Sequence, residues 1–274
     1  MGLLSDMVRS SIRRVAEARE RVPEAGLRAA ALAAPAPPRL RLGREGFDLI
    51  AELKLRSPSM GDLSASTLDP LKRLEAYAEG GAAICSILTE PTRFDGNLDH
   101  LRMAADVLQP YGVPAMRKDF IVDPYQVLEA RAYGASGVLL IVRMVPRERL
   151  VAMLDCAADL GLFVLLEAFC AGDLKVAGEV AREREGREEQ VLMGLNCRDL
   201  ETLEIEFGRF AELRGRMPRD WPCVAESGVQ TPEDAARVAS LGYRLALVGT
   251  SLMKRGDAKQ AVRELVAAGR AARN

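Results

Sequence analysis

The sequence contains very few of the residues that build metal sites and disulfide frameworks. His100 is its one histidine, and its five cysteines are widely spaced, odd in number and without a CxxC pair. This pattern disfavours a structural zinc site and a disulfide scaffold. We therefore expect no metal and no disulfide, and a reducing cytoplasm as the natural setting.

Long apolar runs and an excess of basic charge are also missing. No stretch approaches the roughly 18 apolar residues of a membrane-spanning helix, and the start, MGLLSDMVRSSIRR, lacks the apolar core of a signal peptide. The net charge is −1, without the basic stripe typical of nucleic-acid binders. We expect neither a membrane nor nucleic acid as a partner.

The chain has 274 residues, of which 49% are hydrophobic, and this suits one large domain with a substantial core. Short runs that are almost continuously apolar alternate with helical patterns, as expected of strands that are covered on both faces. These runs occupy residues 47–53, 82–88, 113–118, 137–142, 163–168, 191–196, 222–227 and 245–250.

The order of the elements predicts a (β/α)8 barrel with an extra N-terminal helix. Eight strand–helix units also fit a doubly wound sheet, but no GxGxxG follows the first strand, and the count favours the barrel. Residues 3–20 have the spacing of an amphipathic helix, and 31–38 are typical of a stiff linker. We therefore divide the domain into an extension, 1–46, packed on a barrel, 47–274.

Ionisable residues stand where the predicted strands end, which is where a barrel of this class carries its active site. A charge in an apolar strand must be paired or must serve chemistry. A structural ion pair explains any one of them equally well, but it explains the whole set poorly. The set comprises Glu52, Lys54, Lys118, Glu167, Arg198 and Glu226, and the polar but uncharged Asn196 ends the sixth run beside them.

Glycine-containing pairs follow the seventh and eighth predicted strands, namely Ser227-Gly228 and Gly249-Thr250. Barrels commonly bind phosphate through backbone N–H groups in these two loops, and glycine permits the close approach. The pattern therefore predicts a phosphate site, and the neighbouring lysines and carboxylates predict acid–base chemistry on a phosphorylated substrate.

At these residues the sequence resembles the indole-3-glycerol phosphate synthase family. The matching segments are IAELKLRSPSMG, GGAAICSILTEPTRFDG, MRKDFIVDPYQVLEARAYGASGVLLI, GLNCRDLETLEI and VAESGVQTPEDAARVASLGYRLALVGTSLM. The resemblance covers roughly residues 1–265, and its RKDF and SPS segments are highly specific. It departs from the family pattern at Ala168-Phe169, where a valine–histidine pair is common.

The resemblance implies conversion of 1-(2-carboxyphenylamino)-1-deoxyribulose 5-phosphate to indole-3-glycerol phosphate, CO2 and water, without cofactor or metal. It makes Lys118 the general acid, Glu167 the main catalytic carboxylate and Glu52 a second one. It leaves open how Glu52, Lys54 and Glu167 divide the proton transfers. The remaining residues that it implies are Asn196, Arg198 and Glu226 around the sugar, Ser57, Phe94 and Phe120 at the anthranilate end, and Ser227, Gly228, Gly249 and Thr250 at the phosphate.

Three other functions remain open at this stage. A barrel isomerase of aminosugar phosphates commonly uses a cysteine and an aspartate, and Cys85 ends the second predicted strand. A barrel can also bind a phosphorylated metabolite without catalysis, because fold alone does not fix function. The third is a related enzyme that makes a substituted indole. We expect a monomer or a weak homodimer.

Overall fold

Eight parallel strands close into a barrel in the computed structural model, which describes residues 2–44, 46–54, 69–184, 190–200 and 202–273 and the backbone of 56–57 and 61–62. Each strand pairs with the next along the chain, and the first pairs with the last. The predicted (β/α)8 barrel is confirmed. The strands are β1 (Asp48–Leu53), β2 (Ile84–Leu88), β3 (Ala115–Lys118), β4 (Gly137–Ile141), β5 (Phe163–Ala168), β6 (Val191–Asn196), β7 (Cys223–Glu226) and β8 (Leu245–Val248).

Helices surround this barrel and precede it. No helix in the described ranges is both long enough and apolar enough to cross a membrane. The helices are α1 (Leu3–Arg21), α2 (Glu24–Ala33), α3 (Pro70–Gly80), α4 (Pro91–Phe94), α5 (Leu98–Leu108), α6 (Pro124–Ala132), α7 (Arg147–Asp159), α8 (Ala171–Arg182), α9 (Arg209–Glu212), α10 (Pro232–Ser240), α11 (Thr250–Lys254) and α12 (Ala258–Ala271).

The N-terminal segment holds two helices rather than the single one predicted. Helix α1 is confirmed, but the linker placed at residues 31–38 begins later, because α2 continues to Ala33. Only Leu27 and Ala31, one turn apart, are buried in α2. In a run of alanines this short contact face gives no visible periodicity, and the sequence pattern therefore missed the helix.

Helix α1 is fastened beside the carboxyl end of β3 by contacts with α6. The Tyr125 hydroxyl donates to the backbone carbonyls of Ala18 and Val22 at 3.0 and 2.9 Å. Arg19 pairs with Asp123 at 2.7 Å. Asp123 also caps α6 by accepting from the Tyr125 backbone N–H. The extension therefore contacts the barrel on the side where its active site is expected.

The interval between β6 and β7 is the least helical of the eight. Its described residues form only the four-residue α9 and a 3-10 turn, Arg214–Arg216, where the sequence rhythm predicts a full helix. The chain after β6 forms a compact loop instead, in which the backbones of Arg198 and Ile205 form an isolated antiparallel β-bridge. The Glu206 N–H donates to the Cys197 carbonyl at 2.9 Å. This loop is held over the barrel mouth.

The barrel interior is packed with apolar side chains below its mouth. Side chains alternate between the two faces of a strand, so every second residue points to the barrel axis. Each strand contributes at least one buried apolar residue to this interior cluster: Ile50, Ile84, Met116, Leu139, Leu165, Leu192, Val224 and Leu245, with Ile141, Phe163 and Leu247 as second residues of β4, β5 and β8. The next inward position on each strand lies two residues further on, at the mouth.

Candidate active site

Four ionisable side chains enter the barrel mouth from alternate strands. Glu52, Lys118, Glu167 and Glu226 belong to β1, β3, β5 and β7, and all four line one cavity at the carboxyl ends of the strands. Each follows an interior apolar residue of its own strand by two positions, and this spacing turns it inward. Alternate strands contribute the layers of such a barrel, so the four come together at one level.

Two lysines hold the Glu52 carboxylate in its ionised form. Lys54 Nζ lies 3.1 Å from Glu52 Oε1, and Lys118 Nζ lies 3.8 Å from Oε2. Burial alone would raise the pKa of Glu52, but the positive charges of Lys54 and Lys118 outweigh it and lower that pKa. Glu52 can therefore accept a proton at neutral pH.

Lys118 is held as a cation by the surrounding carboxylates. Burial would lower the pKa of its ammonium group, but the negative charges of Glu167 and Glu52 raise it well above its usual range. About a fifth of the side chain remains accessible from the cavity. Lys118 is thus a half-buried cation whose proton can reach a substrate in the mouth.

Glu226 differs from Glu52 and Glu167 because it has no hydrogen-bond or ion-pair partner among the described residues. Neither of its oxygens makes a hydrogen bond with a described residue, although the side chain is buried. Burial and the nearby charge of Glu167 raise its pKa well above the usual range, and Lys118 only partly offsets them. Glu226 therefore favours the neutral acid, which can donate a hydrogen bond.

Asn196 fixes the neighbouring carboxylate and the start of the β6 loop. Its amide Nδ2 donates to Glu167 Oε1, and its Oδ1 accepts from the Arg198 backbone N–H at 2.9 Å. The Arg198 guanidinium donates to the Leu203 carbonyl at 2.8 Å and faces the same cavity. The amide thereby couples the position of Glu167 to the loop that covers the mouth.

The other end of the cavity has the features of an anion site. Ser227 and Gly228 both adopt positive φ, 65° and 88°. Gly249 precedes the first turn of α11, and Thr250 begins it, so backbone N–H groups there lack partners within the helix. Ser251 Oγ is buried without a hydrogen-bond partner among the described residues. The sequence pattern missed Ser251 and Lys254, which also line this end.

Aromatic and aliphatic side chains form the opposite wall. The rings of Phe94 and Phe120 lie 6.4 Å apart between centroids, and both line the cavity. Phe169 also lines it, with the Arg143 guanidinium 5.1 Å from its ring centroid. The sequence resemblance placed Ser57 at this end, but the side chain of Ser57 is outside the described residues. Other apolar residues that sequence reasoning missed also line the cavity: Leu3, Leu88, Leu139, Ile141, Leu200, Leu203, Ile205 and Leu247.

A buried network behind β3 fixes the backbone on either side of Lys118. The Asp119 carboxylate accepts from Arg117 at 3.0 Å, from Thr89 at 2.8 Å and from both terminal nitrogens of Arg14. Burial would raise the pKa of Asp119, but Arg117 and Arg14 hold it well below its usual range. Ser11 of α1 donates to the Phe120 carbonyl. These contacts anchor the strand end from outside the barrel.

The cysteine that an isomerase would need faces away from the mouth. Cys85 is fully buried in the cluster between barrel and helices, and burial raises the pKa of its thiol. Cys197 and Cys223 are buried packing residues. Within the described part of the chain, no three His, Cys, Asp or Glu side chains are grouped as metal ligands.

Comparison with known proteins gives a consistent assignment. The sequence model of the indole-3-glycerol phosphate synthase family matches residues 4–265. An indole-3-glycerol phosphate synthase of Mycobacterium leprae (strain TN) is 42% identical over 245 residues, which are 89% of this chain and 86% of the relative. One from Mycobacteroides abscessus is 40% identical over 271 residues, 98% and 95% of the two chains.

Solved structures with low sequence identity share the fold. A 3-hexulose-6-phosphate synthase from Salmonella typhimurium superposes with a TM-score of 0.61 at 11% identity, over 81% of this chain and 97% of that one. A tryptophan synthase chain from M. tuberculosis gives 0.60 at 16% identity, over 84% and 98%. These likenesses concern the barrel alone, whereas the family match and the two close relatives extend over nearly the whole sequence. The chain therefore belongs to the indole-3-glycerol phosphate synthase family.

Proposed function

We propose that this chain closes the indole ring of indole-3-glycerol phosphate. The substrate is 1-(2-carboxyphenylamino)-1-deoxyribulose 5-phosphate, and the products are indole-3-glycerol phosphate, CO2 and water. The observation that carries the proposal is the Lys118 ammonium group among three glutamates, inside a cavity with an apolar wall at one end and the Ser227-Gly228 and Gly249-Thr250 pairs at the other. The reaction needs these three features in one place.

Lys118 is the general acid of the first step. The ring carbon that bears the carboxylate attacks the sugar ketone, and the ketone oxygen takes up a proton as its π bond breaks. A cation fixed in the mouth both attracts the developing negative charge and supplies the proton. Its raised pKa keeps the lysine protonated before substrate binds.

The carboxylates serve the two later steps. Loss of CO2 leaves its bonding electron pair in the ring. The new hydroxyl then leaves as water, which requires that one proton is added to its oxygen and that another is removed from the decarboxylated intermediate. Glu167 is the main catalytic carboxylate, and Glu52 assists as a base because the lysines keep it ionised. Lys54 lies beside the anionic groups of the substrate and can protonate the departing hydroxyl.

The remaining residues bind and orient the substrate. Asn196, Arg198 and Glu226 face the sugar hydroxyls from β6, its loop and β7. Phe94 and Phe120, with Ser57, receive the anthranilate ring. The phosphate binds at Ser227, Gly228, Gly249 and Thr250, where backbone N–H groups and the positive end of α11 favour an anion.

The proposal includes a cytoplasmic setting, a monomer or weak homodimer, and catalysis without a cofactor. It is tested by incubating purified protein with the carboxyphenylamino-deoxyribulose phosphate and following indole fluorescence. We expect turnover that saturates with substrate, and none with phosphoribosyl-anthranilate, the substrate of the isomerase alternative. Isomerisation of phosphoribosyl-anthranilate without indole formation would assign the barrel to that other chemistry.

A further inference from the structure

Gly194 leaves a recess in β6 that the carboxyl group of Glu226 fills. In the sheet register Asn196 pairs with Glu226, and Gly194 lies one inward position below Asn196. A Cβ atom built on Gly194 would stand 2.0 Å from Glu226 Oε1 and 3.1 Å from its Cδ. Van der Waals contact between such atoms needs about 3.5 Å. The carboxyl group and a side chain at position 194 therefore exclude each other.

The backbone gives no other reason for glycine at this position. Gly194 lies inside a strand and is absent from the residues with positive φ. Glycine in a strand interior weakens the strand relative to alanine. The recess also touches Leu165 of β5, whose Cδ1 would be 3.1 Å from the added carbon. The missing side chain thus costs stability and yields space for one acidic group.

The same arrangement recurs on the opposite side of the mouth. A Cβ on Gly249, after β8, would lie 2.6 Å from Glu52 Oε1 and 3.1 Å from its Cβ. Two of the three glutamates that surround Lys118 therefore lie over a glycine in, or directly after, the neighbouring strand. Gly249 also belongs to the proposed phosphate site, so Gly194 is the position where this effect can be tested separately.

We propose that Gly194 is a positioning residue for the ring closure, because its lack of a side chain sets the place of the Glu226 carboxyl group beside Glu167 and the substrate. Glu226 has no hydrogen bond to a described residue that could hold it there. Shape, rather than a polar partner, fixes the group. This inference rests on the proposed function, since it assigns Gly194 to the same site.

A double-mutant cycle of Gly194→Ala and Glu226→Ala tests the inference. We expect Gly194→Ala to lower kcat by about tenfold or more with KM within about threefold, because a displacement of roughly 1 Å in an active site can cost up to a hundredfold. In the Glu226→Ala background the same change should alter kcat less than about twofold, because the clashing oxygen is gone. Equal losses of kcat in both backgrounds would overturn the proposal.

Thermal unfolding of the four proteins supplies a readout that does not need activity. Gly194→Ala should lower Tm when Glu226 is present and should lower it far less in the Glu226→Ala background, where Leu165 Cδ1 is the remaining close neighbour. If Gly194→Ala alone is insoluble, the double variant should be soluble. Insolubility of both would contradict the claim that the Glu226 carboxyl group is what excludes a side chain at position 194. An inactive wild type with this Tm pattern would reject the proposed function and keep the Gly194–Glu226 contact.

Gly137→Ala is the matched control. It also adds a methyl group to an inward strand position, 2.4 Å from Phe163 Cζ at the far end of the barrel interior. We expect it to lower Tm and to leave kcat and KM within about threefold, because no proposed site residue is displaced. A loss of kcat in Gly137→Ala as large as that in Gly194→Ala would show that general strain of the barrel explains both.

Discussion

Replacing Arg14 by alanine should weaken both the fold and the β3 end. Arg14 donates to the two Asp119 oxygens at 3.0 and 2.8 Å and to Ser11 Oγ at 2.7 Å. Hydrogen bonds to a charged group contribute about 1.5–3 kcal/mol. Asp119 keeps its bonds from Arg117 and Thr89, and 23% of the Arg14 side chain is exposed. We therefore expect a loss of about 2 kcal/mol in the free energy of unfolding.

Urea unfolding at several pH values checks both the size and the cause of this loss. Because Arg14 helps to lower the pKa of Asp119, the stabilisation is fully present above the ordinary aspartate value of 3.8 and is lost as pH falls through the lower native value. The difference between wild type and Arg14→Ala should be largest near neutral pH and should shrink below about pH 4.

Arg13→Ala supplies the control for a charge lost from the same helix. Arg13 is exposed on α1, so its removal should change the free energy of unfolding by less than about 0.5 kcal/mol. An Arg14→Ala loss no larger than that of Arg13→Ala would refute the reasoning. A loss independent of pH would show that the ionised Asp119 is not its cause.

Other changes test the site itself. Lys118→Ala should lower kcat by about 10²–10⁴ and leave substrate affinity within roughly tenfold, because a positioned general acid contributes that much; a fall of less than about fivefold would place the acid elsewhere. Activity should survive EDTA, because the sequence has one histidine and no clustered cysteines, and loss with recovery on adding a divalent ion would contradict this. Gly249→Ala should weaken inorganic phosphate binding, because Gly249 belongs to the proposed anion site. It should also lower kcat, because the added Cβ would lie 2.6 Å from Glu52 Oε1. Weaker phosphate binding with unchanged kcat would confine the role of Gly249 to the anion site.

The strands were predictable because each is a short, almost continuously apolar run, and such a run is visible in consecutive residues of the sequence. The run at 163–168 coincides with β5, and the run at 191–196 with β6. The acid and base candidates could be found in the same way, since Glu52 and Lys118 end such runs. In the segment RKDF, however, the local sequence does not tell which of the four side chains enters the barrel mouth. The strand alternation sends Lys118 into the mouth and Arg117 to the outer layer.

Contacts between distant parts of the chain could not be predicted from periodicity. Leu3 reaches the cavity from the first turn of α1, and Lys254 reaches it from the end of α11. The fit of Glu226 over Gly194 depends on the register between β6 and β7, which no local pattern specifies. Sequence patterns therefore located the chemistry, and only the fold shows the packing that positions it.

Carbon dioxide release, counted against indole formation, tests the proposed ring closure most directly. The substrate carries a ¹³C label in its carboxylate, and purified protein is supplied with no cofactor. We expect one labelled CO2 for each indole-3-glycerol phosphate formed, with both appearing at the same rate after the first turnover. Consumption of substrate with the label retained in a rearranged sugar phosphate would contradict the proposed reaction.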